Sequence, residues 1–96
     1  MKPSEALNSN KQAVLDAAAR YKTTNARVFG SVVRGSDEEG SDLDVLVDPL
    51  PGATLFDLGG LQDELQELLG VPVDLLTPGD LPSHILEAVL AEAQPV

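Results

Sequence analysis

The chain predicts a small α/β (α+β) fold, a mixed three-stranded sheet flanked by helices, in a single domain over residues 1–96. Three observations predict it. Short alternating apolar runs at Ala26–Phe29, Asp42–Val47 and Val71–Leu76 have the period and length of strands. Helical patterns separate them, and turn residues (Thr23-Thr24-Asn25, Pro49, Pro51-Gly52, Thr77-Pro78-Gly79) punctuate the joins. Finally, 96 residues suffice for one core but not for a second lobe, since a chain of this size buries only about 60–65% of its unfolded surface.

The elements follow in order. Asn8-Ser9-Asn10 supplies N-cap residues, and Val14, Leu15, Ala18 and Tyr21 recur at helical spacing, which predicts a helix over Lys11–Tyr21. Strand Ala26–Phe29 leads through Gly30 into one helical turn, Ser31–Arg34, closed by Gly35. The loop Ser36–Ser41 is acidic, and Asp37-Glu38-Glu39 is most simply a solvated run. Strand Asp42–Val47 ends at Asp48-Pro49. Thr54 with Asp57 resembles a capping box; Leu55, Leu58, Leu61, Leu65, Leu68 and Leu69 then form one helix face, and Gly70 stops it. Gly59-Gly60 inside that helix costs roughly 1 kcal/mol per residue relative to Ala, which points to close packing or a bend. Pro72 marks Val71–Leu76 as an edge strand. A last helix over Pro82–Ala93 directs Ile85, Leu86, Val89 and Leu90 inward.

Composition excludes several functions. With 3% aromatic residues, Leu, Val and Ala must pack the core. No run approaches the ~20 apolar residues of a membrane span, and Met1–Lys11 lacks the apolar segment of a signal peptide. Zero cysteines remove disulfides and thiolate metal sites and fit a cytoplasmic location. The net charge of −10 is split: residues 1–34 hold all six basic residues and two acids (+4), while residues 35–96 hold fourteen acids and no Lys or Arg (−14). Such a surface keeps a protein soluble, and it suits a basic partner. It argues against direct binding to nucleic acid, which requires Lys and Arg clusters.

Chemistry concentrates between Phe29 and Val45. Alternation puts Asp42 and Asp44 on one face of their strand and Leu43, Val45 and Val47 on the other. Two Cα atoms so placed lie about 6.7 Å apart, within reach of one magnesium ion. Gly30-Ser31 offers a side-chain-poor turn with backbone N–H donors for phosphate oxygens. Asp74, flanked by Val73 and Leu75, adds a third strand carboxylate. One or two Mg2+ ions held by Asp42, Asp44 and Asp74 would stabilise the attacking and leaving oxygens of a nucleotidyl transfer, and the third carboxylate can assist an incoming hydroxyl. His84, the only histidine, reads as a surface residue, and Tyr21, the only tyrosine, as helix packing.

Phe29-Gly30-Ser31, Asp42-Leu43-Asp44-Val45 and Asp74 together resemble the DNA polymerase β-like nucleotidyltransferase superfamily. Arg34-Gly35, Ser41, Leu55-Phe56-Asp57-Leu58 and Val73-Asp74-Leu75 resemble its minimal nucleotidyltransferase (MNT) family more narrowly, over roughly Ala26 to the last helix. The resemblance implies the antitoxin of a HEPN–MNT toxin–antitoxin pair, an adenylyltransferase that moves AMP from ATP to a tyrosine of a HEPN ribonuclease toxin. It implies that Asp42, Asp44 and Asp74 are catalytic and bind Mg2+, and that Gly30, Ser31, Arg34 and Ser41 bind nucleotide. Arg34 has a second simple role, an ion pair with the Asp37–Glu39 loop. A non-catalytic antitoxin that neutralises the toxin by binding alone is the other reading.

Overall fold

The computed structural model describes every residue from Met1 to Val96. Nine elements follow in order: α1 (Pro3–Asn8), α2 (Lys11–Arg20), β1 (Thr23–Phe29), α3 (Ser31–Arg34), β2 (Leu43–Pro49), α4 (Leu55–Leu69), β3 (Val73–Leu76), α5 (Ser83–Glu92) and β4 (Gln94–Pro95), with a 3-10 turn at Pro78–Asp80. The sheet has four strands in the order β3-β2-β1-β4. β1 runs antiparallel to β2 and β4, and β2 runs parallel to β3. The fold class is the one the sequence predicts, with one strand more. β4 is too short to show alternation, and it forms because Val28 pairs with Gln94 and Arg27 with Pro95 across the open edge of β1.

α1, α2 and α4 cover one face of the sheet. Leu43, Val45 and Val47 of β2 are all but fully buried there, packed with Val14, Ala17, Leu61 and Leu65. α1 has no counterpart in the sequence reading. Its N-terminal donors are satisfied by Glu5, which accepts from Lys2 N–H at 2.8 Å, and by Asp37, which accepts from Ser4 N–H at 2.9 Å across 33 residues. That second contact is invisible to local patterning. It also corrects the reading of Asp37 as solvated: the residue is buried, and the hydrogen bonds from Ser4 pull its carboxyl below the usual range.

Two further expectations change. The first turn of α4 overhangs the core, leaving Leu55 85% and Phe56 91% exposed, so the buried stripe begins near Leu58 and continues through Leu61, Leu65 and Leu69. α5 buries no residue; Leu86 and Val89 are half-buried, while Ile85 and Leu90 face solvent.

β3 is an edge strand, as Pro72 suggests. The N–H groups of Val73 and Leu75 donate to Gln66 Oε1 and Gln62 Oε1 of α4, at 3.1 and 3.2 Å. These contacts close an edge that would otherwise be open to pairing, and they hold β3 in register with β2.

On the opposite face, Arg27 is buried between strands. Its guanidinium donates to Asn25 O at 2.9 Å and to Asp48 Oδ1 at 3.0 Å, while Asn25 Nδ2 donates to Asp48 Oδ2 at 2.9 Å. The register of β1 against β2 slips between Thr24 and Arg27, and that bulge aims Asn25 at Asp48. These hydrogen bonds, first that from Asn25 and then that from Arg27, hold the Asp48 carboxyl below its usual range.

The glycine pair in α4 separates cleanly. A Cβ at Gly60 would stand 2.7 Å from Tyr21 Cε1, whereas one at Gly59 meets nothing within 4 Å. Tyr21 therefore packs on the helix backbone, and only Gly60 is required for close approach. Gly59→Ala should stabilise the protein by about 1 kcal/mol through helix propensity. Gly60→Ala should lose that gain to the clash and lower the melting temperature. Thermal melts of the two variants check this; equal stabilisation by both would rule out the Tyr21–Gly60 contact.

Candidate active site

Phe29 ends β1 and stands opposite Asp44 in the antiparallel register, and Asp44 stands opposite Asp74 in the parallel register. Sheet pairing thus places Asp44 between the Gly30 turn and Asp74. Asp42 lies just ahead of β2, two residues before Asp44, and is exposed, as is Asp74. Leu43 N–H donates to Pro72 O at 2.8 Å, which fixes the start of β2 against the chain entering β3.

Gly30 has φ 76° and ψ −148°, a backbone state essentially confined to glycine. A Cβ there would overlap Asp44 Oδ2, so the turn and the carboxylate are in direct contact. From the sequence, Gly30 is needed to let a phosphate approach; in the structure it is needed first to let Asp44 approach. The chain then makes one helical turn, with Val33 and Arg34 N–H both donating to Gly30 O at 3.1 Å.

Arg34 does not pair with the Asp37–Glu39 loop. Its Nη1 donates to both carboxylate oxygens of Glu92, at 3.0 and 3.1 Å, and Gly30 N–H donates to the same Glu92 Oε1. Glu92 is therefore a member of the site that sequence reading missed. It is 62 residues from Gly30, and its one local sign is weak: an acid in the last turn of a helix, where the macrodipole disfavours negative charge. Ser41 is engaged in its own loop, accepting from Glu38 N–H at 2.9 Å through Oγ. Gly30, Arg34, Asp42 and Asp74 surround Asp44, Ser31 follows Gly30 in the chain, and Ser41 stands in the turn leading to Asp42.

The electrostatics centre on Asp44. Partial burial pushes its carboxyl above the usual range; the charges of Asp74, Asp42 and Glu92 push the same way, and Arg34 opposes them. No three carboxylates converge closely enough to enclose a cation unaided, so Asp42, Asp44 and Asp74 are neighbours rather than a closed cage. Their chemistry fits a hard divalent ion such as Mg2+: all donors are carboxylate oxygens, no thiolate exists, and excess negative charge surrounds Asp44. Neither of the two concavities is lined by these acids. The larger, about 430 Å³, lies between α2 and α4 beside the Arg20–Glu64 ion pair. The carboxylates stand instead on an open shelf.

A raised carboxyl pKa in the folded state means that the native protein binds a proton more readily than the unfolded chain. Stability then falls as pH rises from the ordinary carboxylate range through the raised value, and the penalty is complete at neutral pH. Asp44→Asn should accordingly raise the metal-free melting temperature by a few degrees at pH 7, with the gain shrinking as pH falls and the wild-type carboxyl protonates. Melting curves from pH 4 to pH 8 check this; a lower melting temperature for the variant at pH 7 would contradict the assigned strain.

Comparison with known proteins shows the family. The nucleotidyltransferase domain family matches residues 11–96. The protein adenylyltransferase MntA of Thermococcus cleftensis is 41% identical over 73 residues, 76% of this chain and 74% of that protein. A solved structure described as a "putative minimal nucleotidyltransferase" superposes with a TM-score of 0.88 at 44% identity, covering 97% of this chain and 95% of that one. A toxin–antitoxin crystal structure with AMP-PNP shares the fold, with a TM-score of 0.76 at 19% identity over 90% of this chain and 71% of that one. Family, fold and the Gly30–Asp44 geometry converge: the chain belongs to the minimal nucleotidyltransferase family of the polymerase β-like nucleotidyltransferase superfamily and is a nucleotidyltransferase.

Proposed function

We propose that this nucleotidyltransferase is the antitoxin of a HEPN toxin–antitoxin pair and transfers AMP from ATP to a tyrosine of the toxin. The observation that carries the reading is the packing of Asp44 against Gly30, with Asp42 and Asp74 beside it, on a surface open enough to admit a side chain of another protein. The similarity to a protein adenylyltransferase supports it, as does the shared fold with a toxin–antitoxin structure that contains AMP-PNP.

In this reading Gly30, Ser31, Arg34 and Ser41 bind the nucleotide, the Gly30 N–H and the Arg34 guanidinium meeting phosphate oxygens. Asp42, Asp44 and Asp74 hold Mg2+, which supplies charge neutralisation at the phosphates. Asp74, the exposed carboxylate on the edge strand, faces the incoming tyrosine and accepts its proton. The phenolic oxygen forms a bond to the α-phosphorus, and the bond from that phosphorus to the bridging oxygen breaks, releasing pyrophosphate.

The partner surface has two parts. Leu55 and Phe56, almost wholly exposed at the start of α4, supply apolar area, and the −14 charge of residues 35–96 attracts a basic protein. Association should therefore weaken as salt rises.

Incubation with ATP, Mg2+ and the cognate toxin should add AMP to a toxin tyrosine, read by intact-mass spectrometry. Asp42→Asn or Asp44→Asn should lower the transfer rate by at least about a hundredfold while sparing complex formation. Full neutralisation of the toxin without any adduct, unaffected by Asp42→Asn, would instead assign neutralisation to binding alone.

A further inference from the structure

The Gly30 N–H and the Arg34 guanidinium, the donors assigned to phosphate, are already occupied by an anion of the protein itself. The Glu92 carboxylate accepts from Gly30 N–H and receives both of its other contacts from Arg34 Nη1. We propose that Glu92 is a built-in competitor for the nucleotide's phosphate, so that ATP binds only as the end of α5 withdraws, and Glu92 sets nucleotide affinity. The inference rests on the reading of Gly30 and Arg34 as phosphate donors.

Three observations favour a displaceable contact over a structural one. α5 buries no residue, so little packing opposes its movement. The Arg34 side chain is 60% exposed and Glu92 29%, so water can take over the hydrogen bonds when they part. The chain beyond is held independently: Gln94 and Pro95 pair with β1, and Val96 N–H donates to Ala26 O at 3.0 Å. Ala93, at φ −59° and ψ 142°, leaves the helical conformation between the two, so α5 can move without detaching β4.

Electrostatics agree with the geometry. Glu92 adds negative charge beside Asp44, in a site that already repels a triphosphate. A carboxylate in the last turn of a helix is also unfavourable for the helix itself. Its contacts with Gly30 and Arg34 compensate for that placement.

The test is calorimetry with Mg-ATP and, separately, adenosine, on wild type, Glu92→Ala, Glu87→Ala and Arg34→Ala, each checked for folding by circular dichroism. Glu92→Ala should tighten Mg-ATP binding about five- to tenfold and leave adenosine unchanged. Glu87→Ala removes an acid from the same helix that makes no contact with the site, and should leave both unchanged. If Glu92→Ala fails to fold, Glu92→Gln takes its place. Equal tightening by Glu87→Ala would overturn the proposal in favour of bulk charge. Unchanged or weaker Mg-ATP binding in Glu92→Ala, with Arg34→Ala still weakening it, would overturn the competitor and leave the nucleotide reading intact. Absence of Mg-ATP binding to every variant would overturn both.

Discussion

The contact between Gly30 and the Asp44 carboxylate is the constraint on which the site depends. Two pairings produce it. The antiparallel register brings Asp44 opposite Phe29 at the end of β1, and the chain must then turn within one residue. Only a residue without a side chain can turn there, because a Cβ would occupy the space of Asp44 Oδ2. The parallel register then brings Asp74 opposite Asp44 on the other side. Every element of the core serves these registers. Leu43, Val45 and Val47 bury one face of β2 and so commit Asp44 to the other, since a slip of one residue would put the acids in the core. Gln62 and Gln66 fasten β3 to α4, and with it the position of Asp74.

Such a site is destabilising in isolation. Asp44 is partly buried among like charges, and only Arg34 answers them within the site. Elsewhere the protein treats its polar groups differently. Asp48 is paired with Arg27 and Asn25, Asp37 caps α1, and no buried side-chain polar atom lacks a hydrogen-bond partner. The contrast sets Asp44 apart from Asp37 and Asp48. Asp37 and Asp48 have carboxyls drawn down by hydrogen bonds, whereas the Asp44 carboxyl is pushed up by burial and repulsion. Groups that violate local satisfaction in an otherwise consistent fold are where function is expected.

What could be read from the sequence follows the range of the signals. The strand alternation of Leu43-Asp44-Val45, the Thr54–Asp57 cap and the Gly70 stop are local patterns, and each appears where predicted. Thr54 both donates to and accepts from Asp57, and Gly70 adopts φ 68°. Pairings between distant residues left little or no local mark. The Ser4–Asp37 bond that anchors α1, the β1–β4 ladder, and the Glu92 contacts span 33 to 68 residues. α5 misled for another reason. Its Ile85, Leu86, Val89 and Leu90 have helical spacing, but periodicity records amphipathicity, not what lies opposite, and Ile85 and Leu90 face solvent. The same holds for Leu55 and Phe56, which extend an apolar pattern past the edge of the core.

The exposed apolar residues and the anionic contact belong to one physical picture of α5. A ten-residue helix without a buried side chain derives little stability from packing, and helices this short are marginal in water on propensity alone. Its C-terminal turn is tied to the body of the protein through Glu92 at one end and through Ala93 and the β4 ladder at the other. The ladder is covalently continuous and sheet-bonded; the carboxylate contact is reversible and competes with any anion that reaches Gly30 and Arg34. Of the two attachments, then, the one that can be exchanged is the one placed at Gly30 and Arg34. The position of α5 and the occupancy of the site are in that way a single equilibrium.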